Sequence, residues 1–379
     1  MSMELTLVLA VVLIALAFEY INGFHDTANS IATVVATKVL SPGQAVLLAA
    51  SMNLLGALAG TAVAKTIASG LIDADIVTVT PIVLICALLG AVIWNLITWW
   101  WGLPSSSSHA LVGGLCGAAL AASHDNWSAI IWSEGGAHWW GEKGVVPKVI
   151  LPMMGSPIAG FVIGLLLMGL LFSLMEFLGS RTGPLQRFGR TRFANQFFGK
   201  AQLLSASAMG LSHGLNDAQK TMGIIALALA GATAAGTLDE IPSWLSFLRI
   251  EEDADAKFEV AIWIKVLCAL VMAAGTAAGG WRIIKTLGHK MVRLHPINGF
   301  AAETASASVI LAASHFGIPV STTHNISAAI LGVGMAKRAN AIRWTIVERM
   351  VWAWILTLPV TGAIAWALVI AARAVGWAE

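Results

Sequence analysis

Four short polar blocks interrupt an otherwise apolar chain, and they come as two matched pairs. Gly23-Phe24-His25-Asp26-Thr27-Ala28-Asn29 has its counterpart in Gly214-Leu215-Asn216-Asp217-Ala218-Gln219-Lys220. Gly102-Leu103-Pro104-Ser105-Ser106-Ser107-Ser108-His109 has its own in Gly317-Ile318-Pro319-Val320-Ser321-Thr322-Thr323-His324. In this second pair a proline precedes the hydroxyl run, and a small-residue, helix-compatible stretch follows it. Ser105, Ser106, Ser107 and Ser108, like Ser321, Thr322 and Thr323, would then lie with unpaired backbone N–H groups at a helix N-terminus, a ready anion site. A helix cap needs one hydroxyl. Two matched runs point beyond capping, to paired termini that surround a tetrahedral oxyanion.

The first pair supplies the opposite charge. Ionised Asp26 and Asp217 repel a nearby anion by several kcal/mol even at an effective dielectric constant of about 20. Positive charge must arrive with the anion, so coupled transport becomes a physical requirement. The matched positions His25 and Asn216 differ usefully: a carboxamide oxygen suits an alkali cation, whereas an imidazole carries a proton near neutral pH. Asp26, Asn29, Asn216 and Asp217 are the candidate sodium ligands, and Gln219 and Lys220 complete the second block. Lys220 has three open roles: anion ligand, partner of an acid, or snorkelling cation. Glu303, an acid inside the apolar stretch before the second hydroxyl run, is a further cation or proton candidate. His109 and His324 either brace the hydroxyl runs or pass protons. The structural alternative for the aspartates is a cap on half of a broken helix, or a pair with Lys220; their matched placement favours function.

These residues need a membrane to make sense. Of 379 residues, 58% are hydrophobic and 11% charged, against about a quarter charged in soluble domains. Apolar runs cover residues 5–18, 45–64, 81–101, 149–178, 260–280 and 344–372, several of them longer than the ~20 residues that cross a bilayer. The first run lacks a basic leader and a small-residue cleavage site, so it reads as a retained span. Cys86, Cys116 and Cys268 have no paired spacing and read as small hydrophobes. The net charge of +2 gives no case for a nucleic-acid partner. An anion channel would not need Asp26 and Asp217. An enzyme would need a nucleophile–base pair or a metal cluster, and adjacent Ser108 and His109 do not make a triad.

Charge distribution orients the spans. Arg181, Arg187, Arg190, Arg192 and Lys200 fill one connection, Arg282, Lys285, Lys290 and Arg293 a second, and Lys337, Arg338 and Arg343 a third; these are expected inside. Residues 239–259 hold seven acids against Arg249 and Lys257, and are expected outside with both termini. Trp99, Trp100, Trp101, Trp139 and Trp140 are expected near the interfaces. The architecture this predicts is an all-α integral membrane protein of two inverted-topology repeats, with transmembrane helices broken at the aspartate blocks and two re-entrant helical hairpins. Residues 1–180 form the first repeat, 181–200 a basic cytoplasmic connection and 201–379 the second repeat. Irregular backbone at membrane depth must face protein or a cavity, so the four blocks should converge.

Both aspartate blocks and the Pro319–His324 block resemble the inorganic phosphate transporter (Pit) family, in order and over almost the whole chain. The resemblance implies inverted repeats, phosphate held at the hairpin tips, a homodimer in membrane lipid, and a co-transported proton or sodium ion with no other cofactor. Bacterial proton-coupled members are implied to carry a neutral divalent metal–phosphate complex. His25, where sodium-coupled relatives have asparagine, and Asn53, where animal relatives have an acid, favour the bacterial low-affinity, proton-coupled branch. Glu303 matches an acid of the animal sodium-coupled members. The expectation is a phosphate–proton symporter of the bacterial inner membrane, with sodium–phosphate symport or sulfate uptake as the alternative.

Overall fold

The computed structural model describes residues 3–68, 71–73, 75–136, 143–181, 186, 189–250 and 260–377. Trp139, Trp140, Arg187 and the acids at 251–259, on which parts of the interface and orientation arguments rest, lie outside the described residues. The described chain is helical: α1 (Met3–Ala36), α2 (Pro42–Leu58), α3 (Ala62–Ala68), α4 (Pro81–Trp101), α5 (Ser107–Ala122), α6 (Leu151–Ser180), α7 (Thr191–Ala234), α8 (Ile262–Ala278), α9 (Trp281–Lys285), α10 (Pro296–His315), α11 (Thr322–Lys337) and α12 (Trp344–Ala374). Among the described residues, extended pairing is limited to two isolated bridges, Ile72–Ile130 and Glu134–Lys143. By length and apolarity four helical segments can cross a bilayer: Met3–Ala36, Pro81–Trp101, Val146–Ser180 and Trp344–Ala374. Ile262–Ala278 with Trp281–Lys290, bent by 57°, makes a fifth. The chain is an integral membrane protein.

One expectation is corrected here. The aspartate blocks do not break their helices: α1 runs unbroken through His25–Asn29, and α7, 44 residues long, through Asn216–Lys220. Neither block contains proline or a left-handed glycine. Their polar side chains find partners on other helices, so the backbone keeps the i→i−4 ladder that a water-poor interior demands. The chain breaks elsewhere. Gly102 (φ 66°) stops α4 and Gly317 (φ 65°) stops α10; this left-handed cap is cheap only for glycine. Pro104 and Pro319 follow, and α5 and α11 then start at Ser107 and Thr322.

Packing follows a rule of exchange. α1 packs on α8 as α7 packs on α2, α1 on α4 as α7 on α10, α4 on α5 as α10 on α11, and α5 on α12 as α11 on α6. The paired glycines 23 and 214 permit the first of these contacts. A Cβ on Gly23 would sit 2.5 Å from the Met272 carbonyl oxygen, and one on Gly214 2.2 Å from that of Asn53. Two buried apolar clusters divide the interior. One takes Leu5–Phe18 of α1 and Ala218–Ala232 of α7; the other takes Ala28–Val34 and Phe198–Met209. Both aspartates lie at the seam between them.

Candidate functional site

α5 and α11 bring their N-termini together at that seam. Ser106 caps α5 by accepting the His109 N–H at 3.2 Å, and Ser321 caps α11 by accepting the His324 N–H at 3.1 Å. One hydroxyl per run is therefore a cap. The amides of Ser107, Ser108, Thr322 and Thr323 stand in the first turns, where a helix offers no acceptor of its own. The rings of His109 and His324 meet with centroids 4.8 Å apart, and His324 also stacks on Trp354 at 4.3 Å. His109 Nδ1 and His324 Nε2 have no hydrogen-bond partner. The two histidines are thus wedged between the hairpin tips.

Three of the remaining hydroxyls point at the aspartates. Thr323 Oγ1 donates to Asp26 Oδ1 at 3.2 Å and Ser107 Oγ to Asp26 Oδ2 at 3.5 Å, while Thr322 Oγ1 donates to Asp217 Oδ2 at 2.9 Å. Asn29 Nδ2 donates to Thr322 Oγ1 (3.2 Å) and Thr323 Oγ1 (2.9 Å), leaving its Oδ1 without a partner. Lys220 Nζ donates to Asp217 Oδ1 and to Ser108 Oγ, and reaches the Val320 carbonyl at 3.1 Å. It therefore joins α7 to both hairpins. None of the seven hydroxyl residues, the two aspartates or Lys220 exceeds 9% exposure. This site is closed to solvent. Its two carboxylates share the one Lys220 ammonium, with the rings of His25 and His213 against them.

The matched His25 and Asn216 both clamp a hairpin. His25 Nδ1 pairs with Asp26 Oδ1 at 2.7 Å, and Nε2 lies 3.1 Å from Thr98 Oγ1, itself 2.8 Å from Ser105 Oγ. With a carboxylate on one nitrogen and a hydroxyl on the other, the ring is accommodated either neutral or protonated. Asn216 Nδ2 donates to Ser314 Oγ at 2.9 Å and its Oδ1 accepts the Val320 N–H at 3.4 Å. Its oxygen is turned to the second hairpin.

Two sequence candidates lie apart from the aspartates. Gln219 Oε1 accepts the Val63 N–H at 2.7 Å and so caps the short helix α3. Glu303 of α10 sits beside Thr33, two turns along α1 from Asp26, where Thr33, Ser205 and Gln202 all donate to its carboxylate. Sequence reasoning missed Thr98, and it missed His213, whose Nε2 approaches Asp217 Oδ2 at 3.1 Å while Nδ1 meets Asn53 Oδ1 at 3.1 Å. Asp26, His213 and Asp217 each bring a ligand atom within 4.8 Å of the others, a group of the kind that could hold a cation. His213 precedes Asp217 by one turn, a signal usable only once the block is known to be helical.

Comparison with known proteins identifies the family. The model of the phosphate transporter family matches residues 22–365. A protein of Bacillus subtilis (strain 168), described as a probable low-affinity inorganic phosphate transporter, is 40% identical over 97% of this chain and 98% of its own. One of Rhizobium meliloti (strain 1021), described alike, is 41% identical over 96% of each. A solved sodium-dependent phosphate transporter superposes with a TM-score of 0.76 at 22% identity, over 98% of this chain and 100% of that one. At that identity the likeness speaks to fold alone. A transporter rather than an enzyme, this chain belongs to the phosphate transporter family.

Proposed function

We propose that the protein is a secondary symporter that imports inorganic phosphate with protons across a bacterial inner membrane. The observation that carries the reading is the meeting of two helix N-termini, with their hydroxyls, at one aspartate pair. Phosphate would take the amides and hydroxyls of Ser105–Ser108 and Ser321–Thr323, of which Ser107, Thr322 and Thr323 now lean on carboxylates. Those carboxylates would be balanced by Lys220, His25 and the incoming cation. The exchange of packing partners between the halves supports two repeats of inverted topology. The short Gly–Pro connections between packed helices support two re-entrant hairpins. In this orientation the basic connections face the cytoplasm and both termini lie outside.

Protons are favoured as the coupling ion because the ring of His25 stands between Asp26 and the first hairpin. A sodium-coupled reading is favoured by one feature, the unpartnered hard oxygen of Asn29. Uptake of labelled phosphate into proteoliposomes, with either a proton or a sodium gradient imposed and sulfate as competitor, separates the readings. Uptake driven by the proton gradient and abolished by a protonophore is expected. Uptake that requires sodium, or that sulfate suppresses as well as phosphate does, overturns it.

A further inference from the structure

Glu19 is a fully buried acid that the aspartate site does not use. It lies on α1 at 0% exposure, seven residues before Asp26 and on the same helix face, ~10 Å along the axis. Its Oε2 accepts a hydrogen bond from Thr221 Oγ1 of α7. Among the described residues its Oε1 has no partner at hydrogen-bond geometry, and neither has Oδ1 of Asn22, whose side chain lies beside the carboxyl one turn further along α1. The charged side chains that face it are Asp217 and Lys220 of α7, already paired with each other, and α8 adds the Cys268 thiol. α2 carries no ionisable side chain and α4 only Cys86. Glu303 is the instructive contrast, since both of its oxygens accept hydrogen bonds. A buried carboxylate with an orphan oxygen and no cation of its own is strongly disfavoured.

We propose that Glu19 is a second proton-binding site, between α1 and α7, that loads and unloads one proton during the transport cycle. The proton comes from water. It forms an O–H bond on Oε1; the Asn22 carboxamide turns to accept that O–H through Oδ1, while Thr221 continues to donate to Oε2. A single proton thereby provides partners for both orphan oxygens and removes the uncompensated charge. Thr221 directly follows Lys220 on α7, so any shift of α7 against α1 that opens the aspartate site also disturbs the Glu19 contact. The carboxyl then meets water and can release its proton. The role in the cycle rests on the proton-coupled reading above; the binding of a proton does not.

The test compares wild type with Glu19→Gln, a carboxamide that copies the loaded form in shape and charge. Infrared difference spectra of the protein in lipid, recorded against pH, are expected to show a protonated-carboxyl band that Glu19→Gln lacks. Phosphate uptake by Glu19→Gln is expected to lose its dependence on the proton gradient, while phosphate–phosphate exchange at equal pH survives and shows that the variant is folded. An unchanged band, or unchanged gradient dependence in a proton-driven wild type, overturns the proposal. If wild type proves to be sodium-driven, the coupling reading falls by itself. The infrared arm then decides Glu19 alone: a lost band supports proton binding, and a retained band refutes it.

Discussion

Lys220→Met separates the electrostatic account of the site from a purely geometric one. The substitution keeps an unbranched apolar stem and removes the ammonium from Asp217, Ser108 and the Val320 carbonyl. Asp217 then retains the Thr322 hydroxyl at 2.9 Å and the His213 nitrogen at 3.1 Å. Breaking a buried ion pair from one side costs about 3–5 kcal/mol. With these two neighbours left in place the expected loss is at the low end, about 3 kcal/mol. Adding Asp217→Asn removes the stranded charge, and the double variant should lie within about 1 kcal/mol of wild type. The resulting coupling energy between the two positions is at least about 2 kcal/mol. Denaturant unfolding in detergent micelles, followed by tryptophan fluorescence, measures all four corners of the cycle. Transport should be lost in both Lys220 variants, because the link between the hairpins and α7 is gone. A Lys220→Met protein as stable as wild type would refute the charge account, and so would a double variant no better than the single.

Ser107→Ala and Thr322→Ala should each raise the KM for phosphate without loss of folded protein, since each removes one donor at a hairpin tip; wild-type kinetics in both would remove the hydroxyls from the anion site. Gly214→Ala should cost about 3 kcal/mol or more of stability, because its Cβ would meet the Asn53 carbonyl oxygen at 2.2 Å; normal yield and unfolding behaviour would mean that α2 and α7 are less tightly apposed. On a background lacking Cys86, Cys116 and Cys268, Ser243→Cys should react with an impermeant thiol reagent in intact cells and Thr191→Cys should not; the reverse pattern inverts the topology. His25→Asn, which copies the second-half block, should weaken proton-driven uptake, and uptake equal to wild type would leave His25 as a hairpin clamp alone.

Much of this protein is legible in its residues taken in order. Membrane residence follows from composition, because too few charges exist to cover so much apolar chain. The pairing of the blocks, the left-handed glycines at 102 and 317 and the helix starts after Pro104 and Pro319 follow from local backbone chemistry, which acts over a few residues wherever the chain folds. The anion-site reading of the hydroxyl runs needed only that chemistry and the repetition. What distant residues do to one another was not legible. That α1 and α7 continue through their polar blocks depended on partners such as Thr322, Thr323 and Asn53, between 105 and 294 residues away in the chain. With those partners a polar stretch stays helical in a dry interior; without them it would open to satisfy itself. The same cause sends Gln219 to cap α3, aims Asn216 at the second hairpin and sets Glu303 among Thr33, Gln202 and Ser205. It also leaves Glu19 with an oxygen unanswered. Residue type limits what a side chain can do at a site, but burial and the hydrogen-bond partners that only tertiary packing supplies decide which of those roles it takes.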